Sequence, residues 1–212
     1  MVLDSFSRPT RRYVMDKYTT APVVHLPTKP TCSGFSFLEL LIVLVISSIV
    51  YASGIPAAWS WILDTRQRTA SNTLFTHLQM ARNSSITRQV NVVLCQSDGG
   101  RICSGRNSWQ YGWIVFTDPN DNEQFDPSET LLTVQQPLGD QVQIQFGGRN
   151  GGRYVRYTPL GRGWPNATFT FCDRRGSVSA RAIVLSLSGR PRMDGVSASG
   201  KPLHCDNPPD ND

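Results

Sequence analysis

Gly34-Phe35-Ser36-Phe37-Leu38-Glu39-Leu40-Leu41-Ile42-Val43-Leu44-Val45-Ile46 is the stretch whose reading decides the fold. A glycine stands at the edge of a long apolar run, and one carboxylate, Glu39, lies five residues beyond it. From Leu40 to Leu63 no charged side chain occurs. As a helix rising 1.5 Å per residue, those 24 residues reach about 36 Å, enough to cross a bilayer core. A carboxylate at the lip of such a segment is costly in lipid and implies a partner or a use. A secretory signal peptide would have a shorter apolar core followed by a small-residue cleavage site. A plain anchor would explain the length but not Glu39 or the Gly-Phe junction.

Outward from this stretch, residues 1–34 hold Arg8, Arg11, Arg12, Lys17 and Lys29 against Asp4 and Asp16, with four prolines and no apolar periodicity. That basic excess favours the cytoplasmic side and leaves the C-terminal part outside. Met15 is an alternative start to Met1. Beyond Gly34 the charge falls from +5 for the whole chain to +2, with 16 basic and 14 acidic residues. After Asp64 the sequence turns polar, and Leu74, Leu78 and Ala81 recur at helical spacing with Phe75 beside them, one apolar face for a sheet to cover. Val90–Cys95, Tyr111–Thr117, Thr130–Val134, Val142–Phe146, Tyr154–Tyr157, Thr168–Phe171 and Ala182–Leu187 read as strands. The expected fold is α+β, a long N-terminal transmembrane α-helix packed on an antiparallel β-domain. Its divisions are 1–34, 35–63 (membrane helix, with Gly54 and Pro56 introducing a bend), 64–90 (amphipathic continuation) and 91–212 (β-domain with a tied tail).

Cys95, Cys103, Cys172 and Cys205 follow the leader, which itself carries Cys32. An even count in an exported domain implies two disulfides. Three pairings are open. Cys95 with Cys103 would close a short Gly-rich loop and Cys172 with Cys205 would tie down the tail, the pairing favoured. Zinc ligation lacks a Cys-x-x-Cys spacing and has only His204 nearby.

The run from Gly34 to Leu44 resembles the processing site of type IV prepilins and of the pseudopilins of type II secretion. That resemblance implies cleavage by a prepilin peptidase between Gly34 and Phe35, N-methylation of Phe35, and pairing of Glu39 with the N-terminal amine of a neighbouring subunit. It also implies an inner-membrane protein whose β-domain is periplasmic, a place in a pilus filament, and other major and minor pilins as partners. Trp109-Gln110-Tyr111-Gly112-Trp113-Ile114-Val115-Phe116-Thr117-Asp118, with the helix-to-strand passage ending at Cys95, resembles the GspH/FimT branch of these type IV pilin-like proteins.

Charge in the β-domain is divided. Residues 98–140 have a net charge of −5, whereas 141–192 carry nine arginines, no lysine and only Asp173, a net of +8. Arginine's planar donor fork suits phosphate oxygens, so the block points to a polyanion, with DNA the abundant candidate outside the cytoplasm. Ser188-Gly189-Arg190-Pro191-Arg192 reads as a loop projecting two guanidinium groups. Gly-Arg-x-Arg near the C-terminus resembles the DNA-binding motif of the FimT minor pilins used for DNA uptake in natural transformation. Carried over, Arg190 and Arg192 contact phosphates of double-stranded DNA; Arg174 and Arg175 are added from local charge. The alternative is a structural minor pilin or a GspH-like pseudopilin without DNA binding, its arginines pairing with other subunits.

Asp118, Asn120, Asn122, Asp126 and Glu129 fit a calcium-loop spacing, but Glu123 occupies the glycine position and a strand precedes it. A polar hairpin connection is the favoured reading, with no metal assigned. His77, alone on the helix, reads as a surface or packing residue rather than a ligand. No nucleophile-elbow, metal-helix or P-loop pattern occurs, so neither an enzyme nor a cofactor is expected.

Overall fold

The computed structural model describes residues 34–139, 141–148 and 151–206, with only the backbone of 53, 54, 56 and 57. The expectations for 1–33 lie outside these residues. The chain divides into two compact units, one ending at Ile46 and the other beginning at Ser47.

In the first unit Gly34, Phe35 and Ser36 precede the helix α1, Phe37–Arg88. Ser36 is a favourable residue at a helix start, and its carbonyl accepts from Leu40 N at 3.1 Å. Glu39 lies in the first turn, where the helix dipole favours a negative charge. Phe35, Phe37 and the apolar residues Leu40–Ile46 are exposed. Among the described residues no helix is long and apolar enough to cross a membrane.

In the second unit α1 buries Leu63, Gln67, Ala70, Leu74, Leu78, Ala81 and Ser85, a stripe spaced three or four residues apart. Both polar members reach the β-domain: Gln67 Nε2 donates to Phe171 O at 2.9 Å, and Ser85 Oγ to Thr158 O at 3.0 Å, while the buried Gln67 Oε1 has no protein partner among the described residues. The helix stops at Arg88 because Gln89 turns left-handed, φ 54°.

Among the described residues nine strands follow: β1 Val92–Gln96, β2 Trp113–Thr117, β3 Leu131–Gln135, β4 Gln143–Gly148, β5 Tyr154–Tyr157, β6 Gly163–Trp164, β7 Ala167–Cys172, β8 Arg181–Leu185 and β9 Pro191–Asp194. They form two antiparallel sheets, β3-β2-β1-β5-β6 and β4-β7-β8-β9. The α+β architecture is as expected. All seven anticipated strands are present, Tyr154–Tyr157 with the expected bounds and the other six with one or both ends shifted, while β6 and β9 were not anticipated. Both are short edge strands, and β9 begins with proline, tolerated where no further strand needs its N–H.

Alternation along each strand sorts the faces. Val92, Leu94, Trp113, Val115, Val155 and Tyr157 of the first sheet join Ile144, Phe146, Phe169, Phe171, Ile183 and Leu185 of the second in one core with α1. Trp109 anchors it, stacked 5.7 Å from Phe146 and edge-on to Phe169 at 5.1 Å, its indole N–H donating to Gly152 O at 2.9 Å. Gly112 is forced: its φ is +108°, and a Cβ there would lie 2.4 Å from Gln135 O. The other face of the first sheet forms a second small core of Val93, Cys95, Ile114 and Phe116 under Phe125.

Candidate nucleic-acid interface

The disulfides are Cys95–Cys103 and Cys172–Cys205, eight and 33 residues apart. The first closes the loop beside the small second core. The second ties the C-terminal segment to β7, where Ala198 N donates to Thr168 Oγ1 at 3.1 Å. Leu203 and Cys205 are buried beneath this segment.

Arg190 and Arg192 do not form the free loop the sequence suggested. Ser186–Gly189 turns the β8–β9 hairpin, closed by Gly189 N donating to Ser186 O at 2.9 Å, and Pro191 and Arg192 pair with Leu185 and Val184. The strand fixes the backbone on which Arg192 is mounted. Arg190 is exposed and has no carboxylate partner among the described residues. Arg192 keeps 55% of its side chain exposed while its Nε reaches Asp194 Oδ2 at 3.1 Å. That hydrogen bond holds the Asp194 carboxyl below the usual carboxylate range.

Arg174 and Arg175 lie elsewhere. The Arg174 guanidinium sits 5.6 Å over the Trp59 ring. Arg175 is bound to fully buried Asp173, Nη2 to Oδ2 at 2.6 Å, and to Asp64 at 2.8 Å. Asp173, then Asp64, raise the Arg175 pKa, and the Arg175 hydrogen bond lowers that of Asp64. This is a tie between the β7–β8 connection and α1. By contrast, the neighbourhood of Arg190 meets α1 at Arg82, whose Nε donates to Gly161 O at 3.1 Å. Trp59 and Arg82 are about 35 Å apart along the helix at 1.5 Å per residue. Sequence proximity therefore joined two pairs of arginines that the fold separates.

The arginine block also spends charge on the acidic segment. Arg156, on the outer face of β5, reaches Asp121 Oδ1 at 2.5 Å and Glu123 Oε1 at 3.3 Å. Tyr154 beside it is pushed up to about 12 by burial and by its hydrogen bond with Glu123. The calcium-spaced residues are turned on themselves. Buried Asp118 accepts from Asn122 N and Glu123 N, both at 3.1 Å, while Asn120 and Asn122 donate to Asp126 at 2.9 Å. Burial raises the Glu129 pKa, helped by Asp118 and Asp126. Among the described residues no group of three or more His, Cys, Asp or Glu side chains is placed to hold a metal ion. The segment is a hairpin connection, as favoured, with Phe125 packed 5.3 Å from Phe116. His77 is the packing residue expected: its Nδ1 accepts from Trp113 Nε1 at 2.9 Å, and burial lowers its pKa.

The family description of the type II transport protein GspH matches residues 70–189, more than half of the chain. The chain belongs to the GspH family. This GspH-family chain also matches the prokaryotic N-terminal methylation motif over residues 29–52, which contains Gly34, Phe35 and Glu39. Among curated proteins none matches the sequence. Solved structures similar to it include two of minor subunits. The type IV minor pilin FimU of Pseudomonas aeruginosa PAO1 is 14% identical with a TM-score of 0.45, covering 60% of this chain and 91% of its own. The minor pseudopilin EpsH from the type 2 secretion system of Vibrio cholerae is 10% identical with a TM-score of 0.44, covering 61% and 96%. The GspH-family match and the N-terminal methylation motif together are those of a pilin-like protein.

Proposed function

We propose that this chain is a minor type IV pilin that binds double-stranded DNA through the backbone, using Arg190 and Arg192, and serves DNA uptake in natural transformation. The observation that carries the reading is the mounting of these residues: Arg190 exposed without a carboxylate partner, Arg192 half exposed on an edge strand. Contacts of this kind are independent of base sequence and sensitive to salt. Arg175 is left out, being occupied by Asp173 and Asp64, and Arg174 remains a peripheral candidate. In the same proposal the prepilin peptidase cuts between Gly34 and Phe35, Phe35 is N-methylated, and Glu39 receives the amine of a neighbouring pilin. The position of Gly34 and Phe35 ahead of the helix supports access by that peptidase. A single inner-membrane span at 40–63 with the β-domain periplasmic is part of the same proposal and is supported by the uncharged run and the basic leader of the sequence alone, since among the described residues no helix meets the length and apolarity of a span.

The experiment is a fluorescence anisotropy titration of the full chain in detergent with duplex DNA at low and moderate salt. Binding that weakens with salt, and falls at least about tenfold in R190E/R192E, is expected, each lost phosphate contact removing about one unit of salt slope. No binding at low salt would remove the DNA reading. The description of the matched family, a type II transport protein, favours a second reading: an assembly subunit of a pseudopilus. Binding to other minor subunits that R190E/R192E abolishes, with DNA ignored, would establish that reading instead.

A further inference from the structure

Two glycine-bearing turns meet beside α1, and both carry an arginine. Gly189 has φ +73°, and a Cβ on it would lie 2.1 Å from Gly161 O and 3.0 Å from Gly163 N. Gly161 has φ +72°, and a Cβ there would strike Ile86 Cδ1 at 2.8 Å and Arg82 Nη2 at 3.1 Å. Any side chain at either position would be strained; at Gly189 it would push the two turns apart, and at Gly161 it would press on the Ile86 and Arg82 side chains of α1. The contact is tied by Gly163 N donating to Leu187 O at 3.3 Å. The 158–162 turn is closed from both sides, Thr158 N to Arg162 O at 3.0 Å and Gly161 N to Thr158 O at 2.7 Å. Arg82 reaches onto it from the helix, its Nε bonded to Gly161 O.

This packing gathers three arginines from three elements. Arg162 lies between two buried glycines and is itself exposed; Arg190 follows buried Gly189 and is exposed; Arg82 is half-buried. Among the described residues none of the three forms an ion pair with a carboxylate, whereas Arg106, Arg156, Arg175 and Arg192 all do. Positive charges carried on adjoining turns and the helix beside them, without carboxylate partners among the described residues, make a locally positive surface of the kind that draws an anion. Because the charges stand on separate elements over a fixed backbone, a ligand with several linked anionic groups fits better than a single one. The phosphates of a duplex strand recur every 3.4 Å along the axis.

We propose that Arg162 and Arg82 act with Arg190 as a phosphate clamp for duplex DNA, its floor the contact between Gly161 and Gly189. This rests on the DNA reading above but assigns residues outside the Gly-Arg-Pro-Arg motif. Mounted on a preformed backbone, the clamp loses little ordering entropy on binding.

The test compares the full chain in detergent with R162E, R82Q and R162E/R82Q, using a fluorescent duplex over a salt series. R162E should weaken binding about tenfold at low salt. The double variant should weaken it further, with a salt slope lower by about one unit per lost contact. Because Arg82 also braces Gly161, R82K, which keeps the charge, and circular dichroism melts accompany the series. Retained affinity in R82K alongside loss in R82Q assigns the helix residue to the charge. If the parent chain binds duplex DNA and loses it in R190E/R192E while R162E and R162E/R82Q bind like the parent, the clamp is wrong and the simpler two-arginine site stands. If the parent chain does not bind at all, the DNA reading itself has failed.

Discussion

The outer faces of the two sheets are covered differently, and the contrast explains where charge is available. Over the first sheet lie the Cys95–Cys103 loop and the 118–130 connection, whose acids are consumed by backbone N–H groups and by Arg156. Near the second sheet, the tail fixed by Cys172–Cys205 follows the hairpin that carries Arg190 and Arg192. One lid closes a small apolar core and neutralises itself. The other leaves guanidinium groups facing solvent. Charge counted along the sequence assigns nine arginines to one block; the fold sends Arg156 to the acidic lid and Arg175 to Asp173, and leaves Arg162 and Arg190 unpaired among the described residues.

Breaking the staples should separate the two lids most clearly. C172S/C205S opens a 33-residue separation and should cost roughly 3–4 kcal/mol by the loop-entropy relation, measured by denaturant unfolding, with DNA affinity falling as well. D173A leaves Arg175 without its buried partner and should cost about 3 kcal/mol, again by denaturant unfolding, with DNA affinity retained once the protein is folded. C95S/C103S opens only an eight-residue separation and should cost roughly 2–2.5 kcal/mol. Unlike the other disulfide variant, it should leave DNA binding unchanged.

Much of this was legible in the sequence, for physical reasons that differ by region. The helix stripe at Leu74, Leu78 and Ala81 is buried on one face, and that burial imposes a visible periodicity, while β1 and β2, buried at every position, show as continuous runs rich in β-branched and aromatic residues. Strand β9 was not legible because an edge strand carrying proline and arginine resembles a loop. The Arg82–Arg162–Arg190 grouping was not legible either. It depends on Gly161 meeting Gly189, a contact between distant turns whose trace in sequence is a glycine beside Arg162 and another beside Arg190, with none beside Arg82.

Smaller effects sharpen the account of the core and the acidic lid. His77 has a lowered pKa in the folded state, so the unfolded chain binds the proton more readily as pH falls below its ordinary 6.5. The stability it contributes is fully present above that pH and is lost on acidification through the folded-state value. Unfolding midpoints should therefore drop as the pH falls below 6.5, and H77Q, which keeps an acceptor for Trp113 without titrating, should flatten that slope at a cost of about 1 kcal/mol. Millimolar calcium should leave the melting temperature unchanged, because the oxygens of Asp118 and Asp126 are engaged within the loop. An upward shift would show that the loop reopens around the ion.

Hydrogen exchange of the full chain with and without a short DNA duplex tests the central contrast most directly. The account predicts new protection in 158–163 and 186–192 and none in 118–130. Protection confined to 174–179 or to the acidic connection, with the two glycine turns exchanging as before, would contradict it.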